Sequence, residues 1–273
     1  MGERADLRAK GDRLLLAVVV YFAVFGATWL LADLPVAVRP TGLLISTLAS
    51  LLATGGLVFV AGQLPLDPER IPTVALVAGL GLALLFDVVS VRAGLPLLSS
   101  LALLMAALLV AALMDRFVFL ETEMLLLLCV LYIVVDVYSV YLGPTEAIVA
   151  EGGPLLRALT LQFPIVGTGA IRPLTGGTDY AVWTACMLAA RRFGFHYDKS
   201  FWAIVASLIA TSLIGIGLDQ VVPALPLAMV AYIAVNRRHF DFHRRDLWLS
   251  AALALALVLA AGVGLRWWLT RSP

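Results

Sequence analysis

Two acidic residues, Asp136 and Asp179, lie inside long apolar stretches of the sequence. An Asp deep in a membrane helix costs at least ~2.5 kcal/mol and usually has a function. If the two carboxylates face each other on neighbouring helices, they cannot both ionise cheaply, so they would share one proton. One carboxylate can then activate water while the other protonates a carbonyl oxygen. Acting together in this way, the two groups can hydrolyse a peptide bond. The alternatives are a polar packing role for each Asp, or a role as ligands of a coupling ion.

A third chemically distinctive element is Pro223-Ala224-Leu225-Pro226, at the start of a short apolar segment. The two prolines remove backbone donors and disturb the first helical turn. Irregular backbone at membrane depth is tolerated only where it is buried or lines a cavity. We therefore expect this backbone to border the aspartate pair and to pair with an extended peptide, as an added strand does. In the simpler interpretation the prolines only begin a helix.

Asp87 is another acidic residue in an apolar run, and residues 87–94 match residues 136–143 at five of eight positions. We expect Asp87 either to pair with the nearby Arg92 or to have a polar packing role. Asp87, Asp136 and Asp179 together would also suit a proton- or ion-coupled transporter. His239 and His243 are one helical turn apart, but they lie in a basic loop and we expect no metal site there.

The composition indicates a membrane protein. The chain has 273 residues, of which 62% are hydrophobic and 14% charged, whereas a soluble domain is roughly 45–50% apolar and ~25% charged. A bilayer admits only helical bundles and closed barrels, and the apolar runs are continuous rather than alternating. We therefore predict an all-α, polytopic membrane helical bundle. The net charge of +1 gives no indication of nucleic-acid binding.

Nine apolar segments, separated by Pro, Gly and charged residues, predict about nine transmembrane helices. They are residues 14–31, 42–64, 71–91, 95–114, 117–141, 176–195, 201–218, 222–235 and 247–269. The first four form a predicted N-terminal bundle, residues 1–116. Residues 117–273 form a predicted catalytic half, which contains the Asp136 helix, the Asp179 helix, the Pro-Ala-Leu segment and one further C-terminal helix.

The distribution of basic residues predicts the orientation in the membrane. Of the 19 Lys and Arg residues, six fall on the side opposite the N-terminus and the other 13 on the N-terminal side. The six are Arg39, Arg92, Arg157, Arg172, Arg266 and Arg271. The N-terminus is therefore predicted to be cytoplasmic, with the connection 142–175 and the C-terminus outside. That connection is long, and its apolar content favours packing or interface contact over disorder.

The order and spacing of these motifs resemble the presenilin and signal peptide peptidase family, the intramembrane aspartyl proteases with a Gly-x-Gly-Asp motif. That family has Tyr-Asp on one helix, Gly-x-Gly-Asp on the next and Pro-Ala-Leu about two helices later. Here Asp136 and Asp179 are 43 residues apart, and Pro223 follows 44 residues later. The resemblance covers roughly residues 132–236. It implies a presenilin-like fold, of the type of a prokaryotic presenilin homologue in the cell membrane.

The resemblance implies that Asp136 and Asp179 are catalytic and that no cofactor is needed. The expected substrates are transmembrane segments or signal peptides within the lipid bilayer. The implied substrate-binding residues are Tyr132, Tyr138, Gly176, Gly177, Thr178, Pro223, Ala224 and Leu225. Two positions differ from the family, because Val135 stands where Tyr usually precedes the first Asp and Thr178 replaces the second Gly. An inactive homologue that binds transmembrane helices without cutting them is a further alternative.

Overall fold

The structure is a computed structural model, and it is mostly helical. It describes residues 2–32, 39–63, 71–143, 148, 152–168, 170–218 and 220–240. The predicted ninth segment, 247–269, and His243 lie outside these residues. The helices are α1 (Gly2–Leu30), α2 (Arg39–Ala61), α3 (Thr73–Arg92), α4 (Pro96–Phe117), α5 (Thr122–Leu142), α6 (Pro154–Leu159), α7 (Gly177–Arg192), α8 (Tyr197–Leu218) and α9 (Leu225–Asn236). A 3₁₀ turn, Arg237–His239, follows α9.

Helices α1 to α5 and α8 are long and apolar enough to cross a membrane. Many of their large apolar side chains are exposed, among them Val77, Leu82 and Leu85 on α3. Such an extent of exposed apolar surface on long helices is unfavourable in water and favourable against lipid tails. These six helices indicate a multi-pass membrane protein.

The predicted helical membrane bundle is confirmed in outline, since each of the first eight predicted segments contains a helix. Two of those helices are short. Helix α7 has 16 residues and α9 has 12, so they are about 24 and 18 Å long at 1.5 Å per residue. A bilayer core of ~30 Å exceeds both lengths. Neither of these two helices, which follow the chemically distinctive motifs, is therefore long enough by itself to span the bilayer core.

Helix α7 is at the centre of the bundle. It packs most closely against α4 and also contacts α2 and α8, while α5 packs against α9. All of its residues from Val182 to Ala190 are buried, and Trp183 stacks on Phe201 of α8. Because α4 belongs to the predicted N-terminal part and α7 to the predicted catalytic half, the two parts share one hydrophobic core.

A two-stranded antiparallel sheet, which the sequence analysis did not predict, lies in the connection before α7. Strand β1 is Thr160–Pro164 and strand β2 is Ile171–Gly176, with Thr160 opposite Gly176. Gly167, at a φ of 81°, makes the turn possible because a side chain is strained in that conformation. Phe163 of β1 is fully buried against the rings of Tyr21 and Phe25 on α1. The apolar residues of this connection therefore pack into the protein, as their composition predicts.

Helix α4 holds the outer edge of β1. The Gln162 N–H donates to Ser100 Oγ at 3.0 Å, and the Ser100 hydroxyl donates back to the Gln162 carbonyl at 3.2 Å. Among the described residues, no strand pairs with the outer edge of β2, and that strand contains Pro173. Proline is typical of an edge strand because it has no N–H to donate. Strand β2 is therefore the open edge of the hairpin, and it leads directly into α7.

Candidate active site

Asp136 lies on α5 next to the start of α9. The backbone N–H of Leu225 donates a hydrogen bond to Asp136 Oδ2 at 2.9 Å, and Ala224 contributes a further backbone contact. The N–H groups of a first helical turn have no partner within their own helix, so they are free to bind an acceptor. The Pro-Ala-Leu segment therefore presents backbone donors to Asp136.

The local conformation of Pro-Ala-Leu follows from its two prolines. Pro223 is buried in non-helical backbone, Ala224 precedes the helix, and Leu225 is its first residue. Pro226 occupies the first turn, where its missing N–H costs nothing. The structure thus brings Ala224 and Leu225 to Asp136, as expected, but one of the donors expected for a peptide is already used by this side chain.

Asp179 lies in the first turn of α7, directly after β2. Its carboxylate lies close to the backbone of Gly176 and interacts electrostatically with Asp136. Asp179 as a whole is half-buried. Two carboxylates, one from α5 and one from α7, therefore lie within reach of each other's charge.

A second pair of side chains shows how α5 and α7 are aligned. The thiols of Cys129 on α5 and Cys186 on α7 interact with each other. Cys129 is seven residues before Asp136, and Cys186 is seven residues after Asp179. Seven residues are two helical turns, so each Cys lies on the same face as the Asp of its helix. The two helices are therefore antiparallel, with the thiol pair two turns deeper than the carboxylate pair.

Helix α9 packs beside this thiol pair. Met229 Sδ lies 3.9 Å from Cys186 Sγ, and the Tyr232 hydroxyl donates to the Cys186 carbonyl at 3.0 Å. Both side chains are fully buried. Helix α9 thus contacts α7 through its side chains and α5 through its first turn, which holds the three helices in register.

The Gly-Gly-Thr motif before Asp179 has a different steric requirement at each position. A Cβ on Gly177 would lie 2.8 Å from Leu103 of α4, which is too close. A Cβ on Gly176 would lie 3.3 Å from Asp179 Oδ2, which is tight. Thr178 is exposed. The close approach of α7 to α4 therefore requires glycine at 177, while 178 has room for a side chain.

The two predicted tyrosines point to different sides of α5. Tyr132, one turn before Asp136, donates to Met114 Sδ on α4 at 3.5 Å and packs against the core. Tyr138 is two residues after Asp136, so it lies about 160° away around the helix. Tyr132 is thus on the inner face with Asp136, and Tyr138 is not on that face.

Asp87 is separate from the aspartate pair. It is buried on α3 and accepts a hydrogen bond from Ser99 Oγ on α4 at 2.5 Å. This contact joins α3 to α4 and matches the predicted polar packing role, with Ser99 rather than Arg92 as the partner.

Sequence reasoning missed the residues that position β1 and β2, above all Ser100 and Gln162. The signal available in the sequence was Gly167-Thr168-Gly169, whose glycines are typical of a turn, between two short runs that contain Thr, Phe, Ile and Pro. Comparisons with protein-family models, with curated proteins and with solved structures find no match for this chain.

Proposed function

We propose that this chain is an intramembrane aspartyl endopeptidase that cleaves transmembrane segments through Asp136 and Asp179. The observation that carries the proposal is the electrostatic interaction between these two carboxylates, which lie on antiparallel helices inside an apolar bundle. With one proton between them, one carboxylate takes a proton from water while the other gives a proton to the scissile carbonyl. Two unrelated polar residues in helix packing would have no reason to converge with the Pro-Ala-Leu backbone.

The open edge of β2 supports an extended peptide as the substrate. A strand added to this edge would run beside Gly176, the last residue of β2, whose backbone already contacts Asp179. Strand addition exposes a peptide bond that a helix would hide, and main-chain hydrogen bonds supply affinity with little dependence on side chains. A transmembrane helix would have to unwind locally to bind in this way.

The remaining features of the proposal follow from the motif resemblance and from the basic residues. The fold is presenilin-like with about nine membrane helices, and the N-terminus is cytoplasmic in a prokaryotic cell membrane. Supporting this orientation, Arg191 donates to the Gln63 carbonyl at 2.8 Å and Arg192 contacts Asp115, so several basic connections gather at one end of the bundle.

In a variant without Cys129 and Cys186, a new Cys at exposed Arg172 should label from outside intact cells, and one at exposed Arg238 should not. The reverse pattern would invert the orientation.

Reconstitution into sealed vesicles tests the reaction class. The purified chain should release two fragments from a transmembrane peptide, with masses that sum to the peptide plus one water. It should not move protons or solute across the vesicle wall. Proton-coupled uptake without fragments would replace the peptidase with a transporter, and peptide binding without fragments would indicate an inactive homologue.

A further inference from the structure

The side chains of Thr54 on α2 and Tyr180 on α7 are hydrogen-bonded to each other, although 126 positions separate them in the chain. Thr54 Oγ1 lies 2.7 Å from the Tyr180 hydroxyl oxygen and 2.6 Å from the Ser50 carbonyl oxygen. A hydroxyl has one proton, and a carbonyl can only accept one. Thr54 therefore donates to its own helix and accepts the proton of Tyr180, so the two bonds form one chain from α7 to the backbone of α2.

Tyr180 is also fixed by the packing around its ring. The ring centroid of Tyr180 lies 5.8 Å from that of Trp183, and Trp183 lies 5.6 Å from Phe201 of α8, both pairs in stacked geometry. Tyr180 is 1% exposed and Thr54 is fully buried. A buried hydroxyl without a partner is unfavourable, so the bond between Thr54 and Tyr180 is not readily given up. Helix α2 therefore determines where this side chain of α7 lies.

Asp179 is the residue directly before Tyr180. Consecutive Cα atoms are about 3.8 Å apart, so the anchoring of Tyr180 also limits where the backbone of Asp179 can lie. The Tyr180 hydroxyl further approaches Thr175 at the end of β2, on the other side of Asp179 in the sequence. Between Thr175 and Asp179 stand two glycines and the exposed Thr178, none of which extends a side chain into the core. Tyr180 is thus the side chain that anchors the first turn of α7 in the core.

Asp179 needs such an anchor because it interacts electrostatically with Asp136. Two carboxylates that are both ionised repel each other, and the repulsion tends to move them apart unless each is held. Asp136 is held by the Leu225 N–H. We infer that Thr54 and Tyr180 are positioning residues that set the separation of Asp179 from Asp136. Their importance for catalysis rests on the proposed peptidase function, whereas their effect on the two carboxylates does not.

Titration of the purified chain in detergent, followed by the infrared absorption of protonated carboxyl groups, tests the inference without a substrate. Subtracting the spectrum of the same chain with Asp136→Asn and Asp179→Asn leaves the signal of the pair, which should lose its protons in two separate steps. Thr54→Val and Tyr180→Phe each remove the bond and let the carboxylates move apart, so the two steps should come closer together. At an effective dielectric constant of ~20, a movement of ~1 Å from a separation of ~5 Å changes the interaction by about 0.4 pH unit.

Two control variants lose a similar hydrogen bond elsewhere in the bundle. Thr28→Val on α1 loses the bond of a buried hydroxyl to the Phe25 carbonyl of its own helix. Tyr197→Phe loses the bond of 2.6 Å to the Phe59 carbonyl, which joins α8 to α2 at the opposite end of α7 from Asp179. Both controls should keep the wild-type spacing of the two titration steps, even where their Tm falls.

Peptide cleavage supplies the functional part of the test. Thr54→Val and Tyr180→Phe should each lower kcat about 10- to 100-fold with little change in KM, because a reacting group is misplaced while the rest of the site is intact. Thr54→Ser keeps the hydroxyl and should keep the wild-type kcat, and the double variant should behave as either single variant because both remove one bond.

Unchanged spacing of the titration steps in Thr54→Val and Tyr180→Phe overturns the inference, and so does an equal change of spacing in the two controls. If the wild type cleaves no peptide, the peptidase proposal fails, while the titration still decides whether Thr54 and Tyr180 position the pair.

Discussion

The backbone N–H of Leu225 is hydrogen-bonded to the carboxylate of Asp136 at 2.9 Å, although the two residues are 89 positions apart in the chain. This bond joins the first turn of α9 to the C-terminal half of α5. The Pro-Ala-Leu segment therefore serves to bind Asp136, because the backbone N–H groups at this helix start are free to donate to an acceptor outside the helix. The position of Asp136 is thereby fixed relative to the start of α9.

Removing this one donor should slow catalysis without removing a side chain. Replacing Leu225 with its α-hydroxy acid turns the peptide N–H into an ester oxygen. A hydrogen bond to a charged group contributes ~1.5–3 kcal/mol, so kcat/KM for peptide cleavage should fall about 10- to 100-fold. The matched control is the same replacement at Leu227, an exposed leucine in the same turn. Equal rates for both esters would show that the Leu225 bond has no part in catalysis.

Gly177 should be intolerant of a side chain because of Leu103. Gly177→Ala overpacks the contact between α4 and α7 and should destabilise the chain by about 1–3 kcal/mol. Adding Leu103→Ala should make the double variant less destabilised than the two single effects combined. Gly56→Ala is the control, since its Cβ would meet nothing within 4 Å. Unfolding in detergent measures all four variants, and simple additivity would remove the steric explanation.

The motif spacing was enough to predict that Asp136, Asp179 and the Pro-Ala-Leu backbone converge. It could not identify Leu103 as the reason for Gly177, because that contact depends on how α4 packs against α7. The same holds for β1, which is stabilised by the burial of Phe163 against Tyr21 and by Ser100. Local pattern does not contain such long-range partners, and a strand of five residues in an apolar stretch is easily taken for a helix or an interface loop.

Tyr138 is the opposite case, because the sequence alone was sufficient to place it on a different helix face from Asp136. Two residues along a helix correspond to about 200° of rotation. Asp136 and Tyr138 therefore cannot share a face of α5, whatever the tertiary structure. Tyr132, four residues before Asp136, returns to that face, and the structure has it packed against the core.

The register of α5 and α7 can be tested with the two native cysteines, which are the only ones in the chain. Oxidation of the folded protein by a membrane-permeant oxidant should join Cys129 to Cys186 within one molecule, because their thiols interact. Mass spectrometry of the alkylated, denatured chain should find both thiols protected. Cys129→Ala and Cys186→Ala are the controls, and each should leave its remaining thiol reactive. Full alkylation of the oxidised wild type would contradict the antiparallel register.

Asp87 should contribute to stability rather than to cleavage. Asp87→Asn keeps an oxygen that can accept from Ser99, so both unfolding and peptide cleavage should stay close to wild type. Asp87→Ala leaves the Ser99 hydroxyl without this acceptor and should cost about 1–3 kcal/mol. Cleavage rate and Tm, measured on the same preparations, separate the two effects. Loss of proton-coupled uptake in Asp87→Asn would instead favour a transporter.

The pH dependence of cleavage follows from the shared proton. With both carboxylates protonated no base is available to activate water, and with both ionised no acid is available for the carbonyl. The rate should therefore rise and then fall as pH increases. Each side of this bell-shaped profile reports one titration step of the pair as a unit, not of one residue. A rate that rises to a plateau would indicate that a single base is sufficient.

Hydrolysis of a transmembrane peptide in proteoliposomes by wild type, Asp136→Asn and Asp179→Asn tests the central claim most directly. Asn keeps the size of Asp but cannot supply the carboxylate, so each variant should keep the wild-type Tm and lose cleavage. The double variant should lose no more cleavage activity than either single variant, because the two carboxylates act as one unit. Matching Ala variants guard against Asp regenerated by deamidation. Cleavage at the wild-type rate by a chain lacking either carboxylate would contradict the account.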